Sequence, residues 1–323
     1  MSPTRKAAAL AAAALLAASC GTGPTAAPAA AGYPMTVENC GRQVTVERAP
    51  SKVYVIGGEA GTIVHAAGGA DRVATFTPLK GEPLGAAENA FTKAETSILP
   101  HSKDISREVI IGAAPDLVIT YGLNEFGPDE LAAAGIPTLI ISGYCGGFGA
   151  GQSEVGDPIE ELFTDVETVG RVLGTEDAAK AAADDLRARV AAVRENSTPR
   201  EGTTAALFVA GPDTGLGAYG RRSMIHQQMA ALGLANTFES ADERYFEPST
   251  ESLIAAAPER IIALHQLGNT TDQTAREAIT GRPDLKGVPA VADENILVLD
   301  FFYSGHGTLA VDGLEDLAAQ LGR

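Results

Sequence analysis

Arg221 and Arg222 stand side by side behind a tyrosine in Gly217-Ala218-Tyr219-Gly220-Arg221-Arg222-Ser223, just after an apolar run and just before a helical one. Tandem guanidinium groups can meet a carboxylate or an anionic chelate through paired hydrogen bonds, and Tyr219 adds an aromatic face and a hydroxyl. Solvated surface charge is the ordinary alternative. Side chains of similar chemistry recur at comparable places. Tyr121 and Asn124 follow one β-branched run, and Tyr144 follows another. Tyr245 and Phe246 precede a Ser-x-Glu unit, His265 closes the run after it, and Phe301, Phe302, Tyr303 and His306 follow the last run. Aromatics are only 5% of the 323 residues, so their gathering at run ends marks a candidate ligand surface; core packing is the ordinary alternative for each one singly. Glu59, after the first apolar run, reads equally as a helix-capping carboxylate or a ligand group.

Other chemistries find no support. The histidines His65, His101, His226, His265 and His306 form no close His-x-His or His-x3-His pair and have no carboxylate-rich loop beside them, so no direct metal site is expected. No Gly-x-Ser-x-Gly elbow, phosphate-binding loop or dinucleotide glycine fingerprint occurs, and Gly57-Gly58-Glu59-Ala60-Gly61 reads as a tight strand-to-helix turn. Neither catalysis nor a cofactor is expected.

The elements that must position these residues are organised around residues 157–196. Asp157-Pro158-Ile159-Glu160 carries a capping carboxylate, a proline at the first helical position and a glutamate three residues after the cap. Ile159, Leu162, Val166, Val169 and Leu173 then form one apolar stripe up to Gly174. A second helix over 176–195 keeps the period with Ala179, Ala182, Leu186, Val190 and Val193, and its reach of about 30 Å suits a strut between two lobes.

The chain on either side of that strut is duplicated. Residues 106–119, Ser-Arg-Glu-Val-Ile-Ile-Gly-Ala-Ala-Pro-Asp-Leu-Val-Ile, are echoed at an offset of 143 by residues 249–262, Ser-Thr-Glu-Ser-Leu-Ile-Ala-Ala-Ala-Pro-Glu-Arg-Ile-Ile. Each copy reads as a serine-capped short helix, a proline stop and a buried strand, at 117–120 or 260–264. Further strands are predicted at 53–56, 72–76, 137–141, 205–210, 235–238 and 296–299, with helices at 62–67, 130–134, 224–232 and 311–321. Alternating strands and helices imply an α/β fold, with two Rossmann-like lobes of parallel sheet at 39–156 and 202–323 joined by the helical segment 157–201. Ligands of such sheets sit outside the carboxyl ends of the strands, so two lobes facing each other would form a cleft there. A core continuous from one lobe to the other, with no groove between them, would contradict that reading.

Residues 1–19 have the form of an export signal: Arg5 and Lys6, then an apolar run too short to span a bilayer. The run ends in Leu16-Ala17-Ala18-Ser19-Cys20, which resembles a bacterial lipobox shifted by one place, and the resemblance makes Cys20 the lipid-modified first residue of the mature chain. Residues 20–38 then include a flexible tether rich in Gly, Pro and Ala. Cys40 and Cys145 remain, in a compartment where disulfides persist; a bridge is the simplest reading and two free thiols the alternative. With Arg5 and Lys6 removed from the 24 basic residues, 41 acidic ones leave a charge of about −19, which repels nucleic acid.

The order of Val37-Glu38-Asn39-Cys40-Gly41-Arg42, the paired Ser-x-Glu units, Phe163-Thr164-Asp165-Val166 through Gly174, and Pro289-Ala290-Val291 resembles the periplasmic binding proteins of ABC importers for ferric siderophores, haem and vitamin B12. The resemblance runs from Val37 to Leu321. It implies an extracytoplasmic receptor, monomeric and held to the outer face of the cytoplasmic membrane by its lipid alone, that delivers a small-molecule ligand to an ABC permease. Glu108 and Glu251 match the positions where the family docks on permease arginines, although a carboxylate in a first helical turn is favoured by the helix dipole alone. Ferric siderophore is the leading ligand, with corrinoid, haem or a deazaflavin-cofactor precursor as alternatives. An exported two-lobed metal chelatase is the alternative of another class.

Overall fold

Two separate sheets, one on each side of a pair of helices, organise the computed structural model, which describes residues 32–100, 104–123, 126–145, 156–209, 215–266 and 271–322. The export segment, Cys20, His101 and Asn124 lie outside the described residues. An antiparallel hairpin of β1 (Met35–Asn39) and β2 (Arg42–Val46) precedes the first lobe. The lobe then runs β3 (Val53–Ile56), α1 (Gly58–Ala66), β4 (Val73–Thr77), β5 (Glu95–Thr96), α2 (Arg107–Ala113), β6 (Leu117–Thr120), α3 (Pro128–Ala133) and β7 (Thr138–Ile140). Its sheet is parallel throughout, in the order β5-β4-β3-β6-β7. β3 and β6 are buried at every residue, as central strands must be when helices cover both faces. In the glycine-rich stretch 57–61, Gly57 alone makes the expected tight strand-to-helix turn, at φ 87°, and Gly58 already starts α1. Gly58 and Gly61 let that helix lie against Glu82 and Phe76, where added β-carbons would fall 2.6 and 2.9 Å from those side chains.

α4 (Pro158–Leu173) and α5 (Glu176–Asn196) join the lobes. Asp157 caps α4 by accepting from the Ile159 amide at 2.9 Å, and Gly174 ends it at φ 67°. α5 buries Ala179, Ala183, Leu186 and Val190, so Ala183 takes the inward place expected of Ala182. It touches the first lobe where Ala178 packs on Gly68. It is tied to the end of the chain by Arg189, which donates to Glu315 at 2.9 Å through Nε and also pairs with Asp312. The expected strut therefore exists.

The second lobe comprises β8 (Thr203–Val209), β9 (Leu216–Tyr219), α6 (Met224–Ala231), β10 (Ala235–Asn236), β11 (Tyr245–Phe246), α7 (Thr250–Ala256), β12 (Arg260–His265), α8 (Asp272–Thr280), α9 (Pro289–Ala292), β13 (Ile296–Asp300) and α10 (Leu309–Leu321). Its strands are ordered β11-β9-β8-β12-β13, with β10 also on β8. Here the sheet is mixed. β9 runs antiparallel to β8 because the connection between them is too short to carry a crossover helix. The 217–223 stretch, read from sequence as a loop, thus begins inside a strand.

The duplication reaches the helix ends. Ser106 and Ser249 both cap their helices, accepting from Val109 and Ser252 amides at 3.3 and 3.1 Å. Ala114 and Ala257, 143 residues apart, both close them in the left-handed region at φ 47° and 43°, each just before a proline. The lobes share part of their core, contrary to the expectation of two separate ones, yet the core is not single and the two sheets stay apart, so the two-lobed reading stands. One apolar cluster runs from the first lobe through α4 and α5 to Ala206, Ile262, Leu264 and Leu314, while Ala205, Leu207, Ile261 and Ala263 face a second cluster. The alternation along β12 assigns neighbouring residues to opposite faces, and the linking helices weld the inner face of the second sheet to the first lobe.

Candidate functional site

Each sheet delivers side chains to the junction from the ends of its strands. From the first lobe come Glu59 after β3, Tyr121 after β6, and Tyr144 in the 3-10 turn Ser142–Tyr144 after β7. From the second come Tyr219 at the end of β9, Arg244 and Tyr245 at β11, and His306 after β13. Tyr144 donates to Glu59 Oε1 at 2.8 Å, and the His306 amide donates to Oε2 of the same carboxyl group. The Thr308 amide donates to Thr62 Oγ1 at 3.1 Å. The Arg244 guanidinium lies 5.2 Å from the centre of the Tyr144 ring, Tyr121 packs edge-on to Tyr144 at 5.7 Å, and Tyr245 packs on Tyr219 at 5.4 Å. Gly143 lies flat against the His306 ring, where an added β-carbon would fall 2.0 Å from the imidazole.

Burial sets the electrostatics. Glu59 is lifted to about 7, first by loss of solvent and then by the nearby carboxylate of Glu82, against the hydrogen bonds from His306 and Tyr144. His306 is pushed down to about 3 by burial and by Arg244, so it is a neutral imidazole at physiological pH. The Tyr144 and Tyr219 hydroxyls are pushed up by burial and stay protonated. The junction is thus a largely neutral, aromatic and hydroxyl-rich surface with one guanidinium. That chemistry is suited to a flat or bulky polar solute.

The turn that presents Tyr144 is fixed three ways. Asp165 on α4 accepts from the Ser142 amide and hydroxyl at 2.8 and 2.7 Å, and Asn39 donates to and accepts from Ile140 at 2.7 and 2.8 Å. Cys40 and Cys145 are joined in a disulfide, which settles the two-thiol alternative. Asp165 is itself raised to about 7 by burial.

Not every expected residue reaches the junction. Arg221 and Arg222 both bind Asp242, at 2.6 and 2.7 Å, two residues before Arg244. Phe246 packs on Phe238 against the second apolar cluster, one residue out of phase with Tyr245. The His265 imidazole is bound to Asp272 at the start of α8, 2.9 Å away, and the Tyr303 carbonyl accepts from Gln228 inside the second lobe. Sequence reasoning missed Arg244 and gave Glu59 and His306 no firm role. The available signal for Arg244 was its place directly before Tyr245. Among the described residues no group of three His, Cys, Asp or Glu could hold a metal ion, and no helix is long and apolar enough to cross a membrane.

The lobes stand closed on one another. The crevice by Glu59, Glu82 and Phe302 leaves no room for even a water-sized molecule, against the roughly 300–1,000 Å³ of ordinary small-molecule sites. Hollows of about 450–560 Å³ lie beside the β1–β2 hairpin and on α2.

Residues 53–302 match the sequence profile of the family described as periplasmic binding protein. No curated protein sequence matches the chain. Among solved structures, an ABC-type Fe3+-hydroxamate transport system protein from Saccharomonospora viridis is 27% identical, with a TM-score of 0.75, covering 90% of this chain and all of that one. A periplasmic binding protein from Veillonella parvula shares 18% identity at a TM-score of 0.72, covering 89% of this chain and 97% of the other. The vitamin B12 binding protein BtuF of Vibrio cholerae shares 16% at 0.64, over 85% and 97%. The last two show the fold alone.

Proposed function

Because the chain belongs to the periplasmic binding protein family, we propose that it is the lipid-anchored receptor of an ABC importer, and that it clasps a ferric siderophore of the hydroxamate type between its lobes. The observation that carries this reading is Arg244 of the second lobe poised over Tyr144 of the first, with Tyr121, Tyr219 and Tyr245 around it. A ferric hydroxamate is bulky, rich in carbonyl and hydroxamate oxygens and partly apolar. Tyrosine faces and hydroxyls with one guanidinium match it in shape and in donors. The Saccharomonospora viridis protein supports the same ligand class. Cys20 holds the receptor at the outer face of the membrane, and it acts as a monomer there.

Ligand entry requires the lobes to part, since the closed crevice is too small. Opening separates the His306 amide from Glu59 and Arg244 from Tyr144, and the ligand then meets both sets of groups on closure. The closed, loaded receptor presents Glu108 and Glu251 to the permease.

The test is titration of the purified receptor with a ferric trihydroxamate. The chain has no tryptophan, so binding reads directly as quenching of tyrosine emission, alongside the iron charge-transfer band. One-to-one saturation is expected. Absence of binding, or a Soret or corrin spectrum on protein from its own host, would overturn the ligand class.

A further inference from the structure

Glu59 is bonded to both lobes at the place where they meet, and it is only 6% exposed. Its Oε1 accepts the Tyr144 hydroxyl of its own lobe at 2.8 Å, and its Oε2 accepts the His306 amide of the other. The second lobe is shaped for that approach. Gly305 and Gly307 flank His306, and added β-carbons there would fall 2.7 Å from the Glu59 carboxyl carbon and 2.7 Å from Thr62 Oγ1. The Thr308 amide reaches Thr62 from the same stretch, at 3.1 Å.

The groups that face this carboxyl leave its charge unmatched. From the segment between β4 and β5 comes the partly buried Glu82, which accepts the Glu59 and Leu79 amides at 3.2 and 2.8 Å. Tyr144 comes from the turn after β7, Tyr219 from β9 and the neutral His306 from beyond β13. Arg244, next to β11, is the cation of the set; among the described residues it lies over the Tyr144 ring and forms an ion pair with neither carboxylate. Enclosing an ionised carboxylate without a paired cation is costly, and enclosing a neutral carboxyl is far less so. Burial first, and Glu82 second, accordingly lift Glu59 to about 7.

We propose that Glu59 is a proton-carrying latch between the lobes: closing takes one proton from solvent onto its carboxyl, and opening returns it. This rests on the reading of the chain as a receptor whose lobes part for its ligand, and adds that an acidic exterior holds that receptor shut. The proton goes to Oε1, because the His306 amide can only donate and already occupies Oε2. The Tyr144 hydroxyl then turns from donor to acceptor across the same 2.8 Å. Closure is supported in full below the solvated carboxyl's value near 4.5 and loses that support as pH rises through about 7.

Hydrogen exchange at the His306 and Thr308 amides reads the opening, since both donate across the lobe boundary. Corrected for intrinsic exchange, their protection should fall about thirtyfold from about pH 5.5 to about pH 8, and in Glu59→Gln it should change less than about twofold. Amides of β3 and β6 report global unfolding, and their protection should exceed that of both reporters at every pH. Glu82→Gln should move the transition to lower pH and Arg244→Ala to higher pH, because one removes a like charge and the other an opposite one. Flat protection in the unmodified chain, or the same slope in Glu59→Gln, overturns the proposal. Protection at His306 and Thr308 that merely tracks β3 and β6 also overturns it, since the fall would then be unfolding. Titration with a ferric trihydroxamate separates this inference from the reading beneath it. Binding with flat protection keeps the receptor and removes the latch, whereas a pH-dependent latch without binding keeps the latch and removes the ligand class.

Discussion

The outer faces of the two lobes repeat each other, and their inner faces do not. On the outside, α2 and α7 agree in cap, carboxylate, exposed isoleucine and left-handed closing alanine at a constant offset of 143. At the junction, the first lobe contributes a buried acid and two tyrosines, and the second contributes an arginine, two tyrosines and a neutral histidine. The duplication supplied the same scaffold twice. The proposed docking faces keep that symmetry, and the walls of the proposed ligand site have lost it.

Charge reversal is the strongest way to break this comparison. Glu108→Arg with Glu251→Arg should abolish uptake in cells and leave ferric trihydroxamate affinity unchanged. Normal uptake would show that the outer repeat is structural only. Next in size, Cys40→Ser with Cys145→Ser opens a loop of 105 residues and should cost about 5 kcal/mol by denaturant unfolding, on the chain-entropy account. Because Cys145 adjoins Tyr144, ligand affinity should fall as well, while docking of whatever remains folded should not.

The inner face should also be the pH-sensitive one. Glu59 and Asp165 rise from ordinary carboxylate values near 4.5 and 3.8 to about 7 on folding. The native state therefore binds protons more tightly than the unfolded chain between those limits. The stabilisation is full below pH of about 4 and is lost as pH rises through about 7, by about 3 kcal/mol for Glu59 and about 4 kcal/mol for Asp165. Unfolding free energy measured from pH 5 to 8 should fall, and Glu59→Gln with Asp165→Asn should flatten the slope; an equal slope in the variant would assign it elsewhere. Smaller again, Arg244→Ala should weaken ferric trihydroxamate binding by about thirtyfold, the scale of one desolvated charge-assisted contact, whereas Arg221→Ala with Arg222→Ala should change it less than about twofold. Reversal of that ranking would move the site to Arg221 and Arg222.

Much of the scaffold was legible before any coordinates. The Asp157-Pro158 start, the Gly174 stop, the serine caps and the paired Ala-Pro endings are local signals read within one or two turns, and all are found where expected. In the Gly57–Gly61 stretch the turn at Gly57 was legible, but glycine serves turns and close helix packing alike, and only the position of Glu82 and Phe76 shows that Gly58 and Gly61 do the second. Tyr121 and Tyr144 were named in advance from strand-end position, Tyr219 from its loop and Tyr245 from its place before a Ser-x-Glu unit, and all four lie at the junction; Phe246, His265 and Tyr303, named on like grounds, do not. The difference is one of phase and depth. Phe246 faces the opposite side of its strand from Tyr245, and His265 is drawn aside by Asp272.

By itself the amino-acid sequence determined the periodicities, the caps, the duplication and the strut, because each depends on residues within a few positions of one another. Which cation reaches the junction was decided only by tertiary structure. Arg221 and Arg222 are paired with Asp242, about twenty residues away, and β11 folds back antiparallel on β9 to bring Arg244 over a tyrosine of the other lobe. The charge state of Glu59 was likewise settled by the second lobe closing over it, since burial acts on a side chain through all its neighbours in space, and those neighbours lie up to 247 residues apart in the chain.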